Sequence, residues 1–457
     1  MNLQQLKYVY FLGIGGIGMS AIARWFIANG YQLAGYDKTA TPLTQALEKE
    51  GAQIHFVDDV AQIPSEFLAD TSQTLVVYTP AIPKNHTELI YFQENGFTLM
   101  KRSQVLGFLT QNMFTIAVAG THGKTTTSSM IAHILKNADR DITAFLGGIT
   151  QNYGTNFLIS SVANPLACVI EADEFDRSFL TLYPDVAIVT STDADHLDIY
   201  GDHNHVLESF RMFVGQIKAG GKLFQRKGLA LESYTPTSFE FSLNEGQYRA
   251  SNLRIENAEM VFDIVYPEGE IKDCKLLTPG FHNVENALAA TAACFTVGLS
   301  ADEIREGINT FKGVKRRFEY HLRQDNIVFI DDYAHHPTEI EAFLRSVKAL
   351  YPSRKLTAVF QPHLFTRTRD FQEGFAESLS LADELLLLDI YPARELPIEG
   401  VTSSIIFDKV TLQNKEMVTK ETLLDILKSK DLDLLVTIGA GDIDTLLSSI
   451  KEMLTAQ

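Results

Sequence analysis

Cysteine is scarce in this sequence, and the few that occur are not arranged as a structural device. Cys168, Cys274 and Cys294 lie far apart in apolar surroundings. An odd number of cysteines without metal-binding spacing excludes a disulfide framework and a zinc module. The pattern is typical of a reducing compartment, so we expect a cytoplasmic protein.

Two further absences argue against membrane insertion and against nucleic acid as a partner. No apolar run approaches the length of a transmembrane helix, and residues 1–7 do not resemble a signal peptide. Lys and Arg number 39 against 57 Asp and Glu, a formal net charge of −18. Nucleic-acid binding requires clustered Lys and Arg to neutralise phosphates. Anionic ligands must therefore be held by local positive sites.

Strands alternate with helices along most of the chain. The length of 457 residues suggests about three domains, which we place at 1–105, 106–312 and 313–457. The fold class is α/β: a Rossmann-like N-terminal domain, a central P-loop ATPase-like domain and a C-terminal Rossmann-like doubly wound domain. Within the central domain, residues 229–278 predict a small insertion of short antiparallel strands. Monomer and dimer both stay open.

Helix starts are marked by local signals. Thr41-Pro42 predicts an N-cap and first turn, and Gly51 predicts the end of that helix. Ser300 and Glu303 form a Ser-x-x-Glu capping box. Pro337 is expected to begin a helix in the third segment.

The first segment opens on a strand and a complete G-x-G-x-x-G. The apolar run from Tyr8 to Leu12 leads into Gly13-Ile14-Gly15-Gly16-Ile17-Gly18, and Asp37 follows the next strand. This is the dinucleotide fingerprint, and on its own it favours NAD. The alternative is a unit that holds another nucleotide's pyrophosphate, since the glycines only require that an anion approach the backbone.

The second segment carries the strongest motif. An apolar run from Phe114 to Ala119 leads into Gly120-Thr121-His122-Gly123-Lys124-Thr125-Thr126, and a helical pattern follows. In such a turn the backbone N–H groups bind an anion, Lys adds a point charge and a Thr hydroxyl can ligate Mg²⁺. Val118 stands where the strict pattern has its first Gly, so the motif is a shortened variant. It predicts a phosphate site.

Acidic residues follow the next two predicted strands. Glu171-Ala172-Asp173-Glu174-Phe175-Asp176 ends one, and Asp193-Ala194-Asp195-His196-Leu197-Asp198 ends the other. Carboxylates beside a phosphate loop are costly without a cation, and Mg²⁺ suits hard oxygen ligands. The alternative is a solvated acidic loop. His196 is open to a metal-binding, phosphate-orienting or structural role.

Polar clusters also end the strands of the third segment. They comprise Asp331-Asp332-Tyr333-Ala334-His335-His336-Pro337, the stretch from Gln361 to Asp370, the stretch from Asp389 to Glu395, and Gly439-Ala440-Gly441-Asp442. Open α/β sheets bind ligands at the carboxyl ends of their strands. We therefore expect this segment to bind anions and a small polar substrate.

Together these motifs resemble those of the Mur ligases, the ATP-dependent amide-bond-forming enzymes of peptidoglycan synthesis. The resemblance covers essentially the whole chain and includes Gly280-x-His282-Asn283. The phosphate loop is shared across the family. The motifs at residues 331–337 and 361–369 are the most specific, and they favour the branch that adds L-alanine over the recycling branch that attaches a ready-made peptide.

The resemblance assigns the first glycine motif to a substrate. In such enzymes the N-terminal domain holds UDP-N-acetylmuramate rather than NAD. The glycines expected at its pyrophosphate are Gly13, Gly15, Gly16 and Gly18. Asp37 is expected towards the uridine.

The resemblance likewise places ATP and Mg²⁺ in the central domain. The expected ATP-binding loop is Gly120, Thr121, His122, Gly123, Lys124, Thr125 and Thr126. Lys124 would hold the β- and γ-phosphates, Thr125 one Mg²⁺, and Glu171 with His196 a second. Asn283 would lie near adenine.

The third domain is expected to complete the site. Arg317 (or Arg316) and Asp332 would reach ATP, and His335 and Arg367 would lie near the reacting carboxylate and L-alanine. The implied catalytic set is Lys124, Glu171, His196, His335 and Arg367.

One position departs from the family pattern. Several Mur ligases carry a carbamylated Lys some way after the metal-binding His, and Arg211 stands at that place here. How the second metal would complete its ligands therefore stays open.

Two alternatives of other classes remain. An NAD-dependent oxidoreductase would use the first glycine motif but leaves Lys124 and the acidic clusters unexplained. A nucleotide-binding regulatory module would use both loops without chemistry.

Overall fold

The structure is a computed structural model and describes residues 3–162, 164–193, 200, 202–229, 231, 237–393 and 395–456. Contacts divide the chain into two compact units. The first comprises Met1–Ala250, Ile264–Ile271 and Asn286–Ile308, and the second comprises Ser251–Asp263, Lys272–Glu285 and Asn309–Gln457. The three segments that we placed with boundaries after residues 105 and 312 stay a prediction.

The first described sheet is a parallel Rossmann-type sheet. Its strands are β1 (Tyr8–Leu12), β2 (Gln32–Tyr36), β3 (Gln53–His55), β4 (Thr74–Tyr78) and β5 (Thr98–Lys101). Its helices are α1 (Ile17–Ala28), α2 (Pro42–Lys49), α3 (Ser65–Leu68), α4 (Thr87–Glu94) and α5 (Arg102–Thr110), with short 3₁₀ turns at Leu3–Gln5 and Val60–Gln62. The strand order is β3-β2-β1-β4-β5, all parallel. The strand order reverses beside β1, so the loop after this strand lies where such sheets bind ligands.

The second sheet carries the phosphate loop. Its described strands are β6 (Thr115–Ala119), β7 (Ile142–Phe145), β8 (Phe157–Leu158), β9 (Ala167–Glu171), β10 (Val186–Val189), β11 (Lys222–Arg226), β12 (Ser238–Ser242), β13 (Tyr248–Glu256), β14 (Glu259–Tyr266) and β15 (Gly269–Leu276). The helices are α6 (Lys124–Asn137), α7 (His203–Val214), α8 (Phe281–Thr296) and α9 (Ala301–Thr310), with a 3₁₀ segment at Phe175–Thr181. The order is β15-β14-β13-β12-β11-β10-β6-β9-β7-β8. Because β6 lies between β10 and β9, the loops that follow these strands are neighbours.

The expected insertion differs from the prediction in its pairing. We predicted short antiparallel strands over residues 229–278, but β12 runs parallel to β11, with Leu223 opposite Ser238. The strands β13, β14 and β15 are also eight or nine residues long. Alternating sequence patterns indicate half-buried strands but do not fix the direction of pairing, which depends on the neighbouring strand.

The third sheet contains β16 (Glu319–Arg323), β17 (Val328–Asp332), β18 (Leu356–Phe360), β19 (Glu384–Leu387), β20 (Lys415–Met417) and β21 (Leu434–Ile438). Its helices are α10 (Pro337–Leu350), α11 (Phe365–Asp370), α12 (Gln372–Leu379), α13 (Ser404–Phe407), α14 (Lys420–Lys428) and α15 (Leu447–Thr455), with a 3₁₀ turn at Asp442–Leu446. The order is β16-β17-β21-β18-β19-β20, parallel except for β16. The ends of β17, β18 and β21 therefore meet at one edge.

The helix starts that we predicted are confirmed. Thr41 accepts a hydrogen bond from the Thr44 amide and Pro42 is the first residue of α2. Ser300 and Glu303 cap each other's backbone N–H groups. Pro337 begins α10. Local capping chemistry is thus sufficient to place these helices.

None of the helices in the described part of the chain is long and apolar enough to cross a membrane. The cysteines Cys168, Cys274 and Cys294 are all buried. Burial raises the pKa of the Cys168 and Cys294 thiols, so both stay protonated and unreactive at neutral pH.

Candidate active site

The phosphate loop joins β6 to α6. Gly120 and Gly123 adopt φ angles of 140° and 82°, which residues with a side chain rarely adopt. A Cβ on Gly123 would lie 2.8 Å from Oδ1 of Asn286, so space as well as backbone geometry requires glycine there. α6 begins at Lys124, directly after the glycine. The N–H groups of its first turn can therefore meet an anion.

Lys124 is held by acceptors of the protein itself. Its Nζ donates to the Gly120 carbonyl at 2.6 Å and lies 2.8 Å from Oε2 of Glu174. Burial acts to lower the pKa of Lys124, but the carboxylates of Glu174, Glu171 and Asp173 outweigh it, so the pKa is raised. Lys124 is therefore a permanent cation inside the loop.

The acids that follow β9 are matched to protein cations. Glu174 pairs with Lys124, Asp173 with Arg102 at 2.8 Å, and Asp176 with Lys101 at 3.0 Å. The expectation that this acidic cluster requires a metal ion is therefore wrong for these three acids. The sequence could not reveal the pairings because the partners lie 50 to 75 residues apart.

Glu171 is the acid of this group that faces the start of α6. Its Oε1 accepts a hydrogen bond from the Thr125 hydroxyl at 3.1 Å, and its Oε2 accepts from the Gly147 amide at 3.0 Å. A Thr hydroxyl and a carboxylate beside a phosphate loop are hard oxygen donors of the kind that Mg²⁺ prefers. No group of three or more His, Cys, Asp or Glu side chains in the described ranges is arranged to hold a metal ion. A metal here would need phosphate oxygens or water as further ligands.

Residues that follow β10 contact the phosphate loop, and one of them, Ser191, was missed by sequence reasoning. Ser191 Oγ accepts from the His122 amide at 2.7 Å and hydrogen-bonds the Thr121 hydroxyl at 2.9 Å. His122 also pairs with Asp193 at 3.3 Å. The only available signal was the position of Ser191 at a strand end. His196, which we predicted to ligate a second Mg²⁺ together with Glu171, lies outside the described residues.

The first glycine loop is hydrogen-bonded to the side chain of Asp37. Gly13 adopts a φ of 86°, and Gly16 is the N-cap of α1. Asp37 Oδ2 accepts a hydrogen bond from the Gly15 amide at 2.8 Å. The acid of the fingerprint therefore contacts the loop directly, and our placement of Asp37 towards the uridine stays a prediction.

Arg102 lies over the same glycine loop. A Cβ on Gly18 would approach Nη1 of Arg102 to 2.6 Å, and Nη2 of the same side chain donates to Asp173. The guanidinium thus lies between the glycine loop and the acidic loop after β9. Both residues of the basic pair Lys101-Arg102 are thus ion-paired, with Asp176 and Asp173 respectively.

Arg316 and Arg317 have different surroundings in the second unit. Arg316 has a φ of 61°, pairs with the buried Asp331 at 3.1 Å, and donates to the Gly439 carbonyl at 2.6 Å. Arg317 lies 5.0 Å above the ring of Tyr333 and 3.8 Å from Glu339. Arg316 therefore holds strand ends together, whereas Arg317 makes a longer ion pair and a cation–π contact.

The Asp332 side chain is held by two backbone amides. Its carboxylate accepts from the Phe318 amide at 2.8 Å and from the Ala334 amide at 2.7 Å. Burial raises its pKa to about 7, although Arg317 and the two amides act in the opposite direction. Only 7% of Asp332 is exposed, so any ligand contact uses one edge of the carboxylate.

His335 and Arg367 follow two strands of the third sheet, β17 and β18, which lie on either side of β21. The His335 amide donates to Glu339 at 3.0 Å, and its ring lies 6.1 Å from that of His363. Arg367 is buried in α11, which follows β18. The His335 and His363 rings come together at this strand edge, as the sequence indicated for the polar clusters.

Asn283 is engaged inside the protein. Its Nδ2 donates to the carbonyls of Thr278 and Pro279 at 3.1 and 3.3 Å. Next to it, burial lowers the pKa of His282 to about 4, so this ring is neutral. The contact of Asn283 with adenine stays a prediction.

A Rossmann-type sheet followed by an α/β unit with a phosphate loop, a Lys and flanking carboxylates defines a nucleotide-dependent phosphoryl-transfer site. Three family models match the chain: "Mur ligase family, catalytic domain" over residues 8–113, "Mur ligase middle domain" over 118–294, and "Mur ligase, glutamate ligase domain" over 316–441. The chain belongs to the Mur ligase family, whose members depend on ATP.

Individual relatives are similar over nearly the whole chain. A UDP-N-acetylmuramate–L-alanine ligase of Flavobacterium johnsoniae is 51% identical, covering 99% of this chain and 99% of the relative. The crystal structure of a UDP-N-acetylmuramate–alanine ligase of Thermotoga maritima has a TM-score of 0.82 at 28% identity, covering 98% and 99%. A murein peptide ligase of Psychrobacter arcticus has a TM-score of 0.70 at 25% identity, covering 98% of each chain.

Proposed function

We propose that this protein joins L-alanine to the lactyl carboxylate of UDP-N-acetylmuramate in peptidoglycan synthesis, with ATP as the energy source. One observation carries the proposal. The chain is about 50% identical, along nearly its full length, to relatives named for this activity. The phosphate loop with Lys124, Thr125 and Glu171 agrees with it, because it supplies the parts that ATP use requires.

UDP-N-acetylmuramate is proposed to bind at the first glycine loop. Gly13, Gly15, Gly16 and Gly18 let the pyrophosphate approach the backbone, and the first turn of α1 offers N–H groups to it. Asp37, which touches the Gly15 amide, is proposed to orient this loop beside the uridine. The Rossmann strand order supports a nucleotide ligand at this position.

ATP is proposed to bind at the loop Gly120, Thr121, His122, Gly123, Lys124, Thr125 and Thr126. Lys124 would hold the β- and γ-phosphates, and Asn283 would lie at adenine. Thr125 would ligate one Mg²⁺ and Glu171 a second, and these ions would neutralise charge at the transferred phosphoryl group. His196 is proposed as a further metal ligand on the resemblance alone.

The residues proposed to contact ATP and the amino acid in the second unit are Arg317, Asp332, His335 and Arg367. Arg317 suits a nucleotide contact because Arg316 is committed to Asp331 and Gly439. Arg367 suits the carboxylate of L-alanine, since a guanidinium recognises carboxylates with paired hydrogen bonds. His335 is proposed beside the reacting groups.

The chemistry has two steps. The lactyl carboxylate attacks the γ-phosphorus of ATP, which gives an acyl phosphate and releases ADP. The neutral amine of L-alanine then attacks the acyl carbon, and the tetrahedral intermediate expels inorganic phosphate and loses a proton from nitrogen. Positioning and charge neutralisation supply most of the acceleration in phosphoryl transfer, and Lys124 is the fixed charge best placed for it. We also propose a cytoplasmic location, where ATP and nucleotide sugars are available.

The first prediction tests this function. Phosphate release from ATP should require UDP-N-acetylmuramate and L-alanine together, and Lys124→Ala should slow it by about a thousandfold or more. Binding of UDP-N-acetylmuramate should change little. Lys136→Ala, an exposed lysine at the other end of α6, is the matched control and should keep full turnover.

Substituting the acceptor separates the family's branches. Replacing L-alanine with the tripeptide used by recycling ligases should abolish phosphate release. Turnover with the tripeptide and none with L-alanine would overturn the proposal in favour of the recycling activity. Retained turnover in Lys124→Ala would instead overturn the phosphate-loop assignment.

A further inference from the structure

The helix that carries Arg367 begins on a strained backbone. α11 spans Phe365–Asp370, and the residue before it, Leu364, has a φ of 69°. A branched side chain in this region is costly, of the order of 1–3 kcal/mol, and persists where surrounding contacts impose it. The contacts that impose it therefore bear on where Arg367 lies.

A second loop, which follows β19, supplies these contacts. The Leu364 amide donates to the Tyr391 carbonyl at 3.0 Å, and the Tyr391 amide donates to the Pro362 carbonyl at 2.8 Å. His363 and Tyr391 form a parallel β-bridge, and their rings stack at 5.8 Å. The residues just before α11 are thus paired with a neighbouring loop rather than exposed as a free turn.

Glu395, four residues after Tyr391 on this second loop, reaches the first turn of α11. Its Oε2 accepts from the Thr366 amide at 3.0 Å, and its Oε1 accepts from the Thr366 hydroxyl at 2.5 Å. Leu364, as N-cap, makes no side-chain hydrogen bond to the helix. The Glu395 carboxylate therefore accepts the hydrogen bond that an N-cap side chain usually accepts. Its negative charge is also favourable at a helix N-terminus.

We propose that Glu395 is a positioning residue for the reaction, which holds Thr366 and thereby fixes the place of Arg367. The inference rests on the function proposed above, in which Arg367 binds the carboxylate of L-alanine. Thr366 is the residue directly before Arg367, so releasing it lets the first turn of α11 and the guanidinium shift together. A displacement of about 1 Å in a substrate-positioning group can cost about a hundredfold in rate.

The test compares Michaelis constants for the separate substrates. Glu395→Ala should raise KM for L-alanine by about tenfold to a hundredfold, while KM for ATP should stay within about twofold. Glu395→Gln should recover part of the loss, because an amide oxygen still accepts from the Thr366 amide. Glu399→Ala, an exposed acid on the same loop, is the matched control and should behave as the unmodified enzyme.

A double variant shows whether the effect passes through Arg367. The double variant Glu395→Ala with Arg367→Ala should have the same KM for L-alanine as Arg367→Ala alone. The effects of substitutions at coupled residues do not add, and without Arg367 there is no side chain for Glu395 to position. The proposal would be overturned if the two substitutions raised KM for L-alanine by the product of their separate effects. It would also be overturned if Glu395→Ala raised KM for ATP as much as KM for L-alanine, or raised neither. Should Glu395→Ala not fold, Thr366→Val removes only the hydroxyl donor and should raise KM for L-alanine in the same selective way.

The same measurements distinguish a failure of the proposed function. If Arg367→Ala leaves KM for L-alanine unchanged, the role of Arg367 is wrong and Glu395 has nothing to position. If Arg367→Ala raises KM and Glu395→Ala does not, Arg367 keeps its role and only the positioning proposal falls.

Discussion

Glu88 is a fully buried acid in the first segment that belongs to none of the motifs that carry the chemistry. The Tyr10 hydroxyl donates to its Oε2 at 2.6 Å, the Asp59 amide donates to its Oε1 at 3.3 Å, and His55 lies 3.5 Å away. Burial raises the pKa of Glu88 to about 7, although the hydrogen bonds from Tyr10 and Asp59 act to lower it. The folded protein therefore keeps a proton that the unfolded chain would release.

This proton predicts a pH-dependent stability. A pKa raised from 4.5 means that the unfolded state loses its proton first, so the contribution of Glu88 to the free energy of unfolding falls as pH rises from about 4.5 to about 7. Glu88→Gln removes this term, so its stability relative to the unmodified protein should be greater at pH 8 than at pH 4, by about 3 kcal/mol at most. Urea unfolding at both pH values measures this difference.

The control for Glu88 lies on the same helix. Glu94→Gln, at the exposed end of α4, is the matched variant with which the stability of Glu88→Gln is compared at both pH values. A flat difference for Glu88→Gln would mean that Glu88 is ionised in the folded state. Burying a charge without a compensating cation is costly, so that result would require a protonated His55 beside it.

Residue identities at the site were predictable, but their partners were not. Lys124, Thr125 and Glu171 follow from motif position, since a strand end and a glycine turn place them locally. The pairings of Lys124 with Glu174 and of Arg102 with Asp173 join residues 50 and 71 positions apart. Such contacts depend on which strands are neighbours in the sheet, and the strand order cannot be predicted from local patterns in a single sequence.

At the scale of elements, local chemistry predicted helices better than strand pairing. Pro42 and Pro337 fix backbone angles directly, so α2 and α10 begin where we expected. The parallel pairing of β12 with β11 was missed because alternation in sequence is the same for both directions of pairing.

The capping box of α2 gives a prediction at this scale. The Thr41 hydroxyl accepts from the Thr44 amide at 3.2 Å, and the Thr44 hydroxyl accepts from the Thr41 amide at 2.9 Å. Thr41→Ala removes one half of this exchange and should lower the free energy of unfolding by about 1 kcal/mol. Denaturant titration followed by circular dichroism measures the loss.

Thr39→Ala, an exposed threonine two residues before the cap, is the control for this prediction. It removes a hydroxyl of the same size without touching the helix and should change stability by less than about 0.5 kcal/mol. Equal losses in the two variants would show that the cap does not stabilise α2 in the intact chain.

At the scale of the whole molecule, the two glycine loops belong to the same compact unit but to different sheets. The first motif looks like the better nucleotide fingerprint from sequence alone, yet we propose it as the site of the sugar nucleotide and the shortened motif as the site of ATP. The two loops differ in the side chains beside them. The second loop has Lys124, which is paired with Glu174 after β9, whereas the first loop has Asp37 and Arg102.

Amide hydrogen exchange across the whole chain tests this assignment. UDP-N-acetylmuramate alone should slow exchange in residues 13–20, because bound phosphates accept from the first-turn amides of α1, and at a hundred times its Kd it adds about 2.7 kcal/mol to any opening that releases it. A non-hydrolysable ATP analogue should instead slow exchange in residues 119–127. NAD is the control and should protect neither loop. If UDP-N-acetylmuramate protected residues 119–127 and NAD protected residues 13–20, the proposed ligands of both loops would be wrong, and the first loop would be a cofactor site.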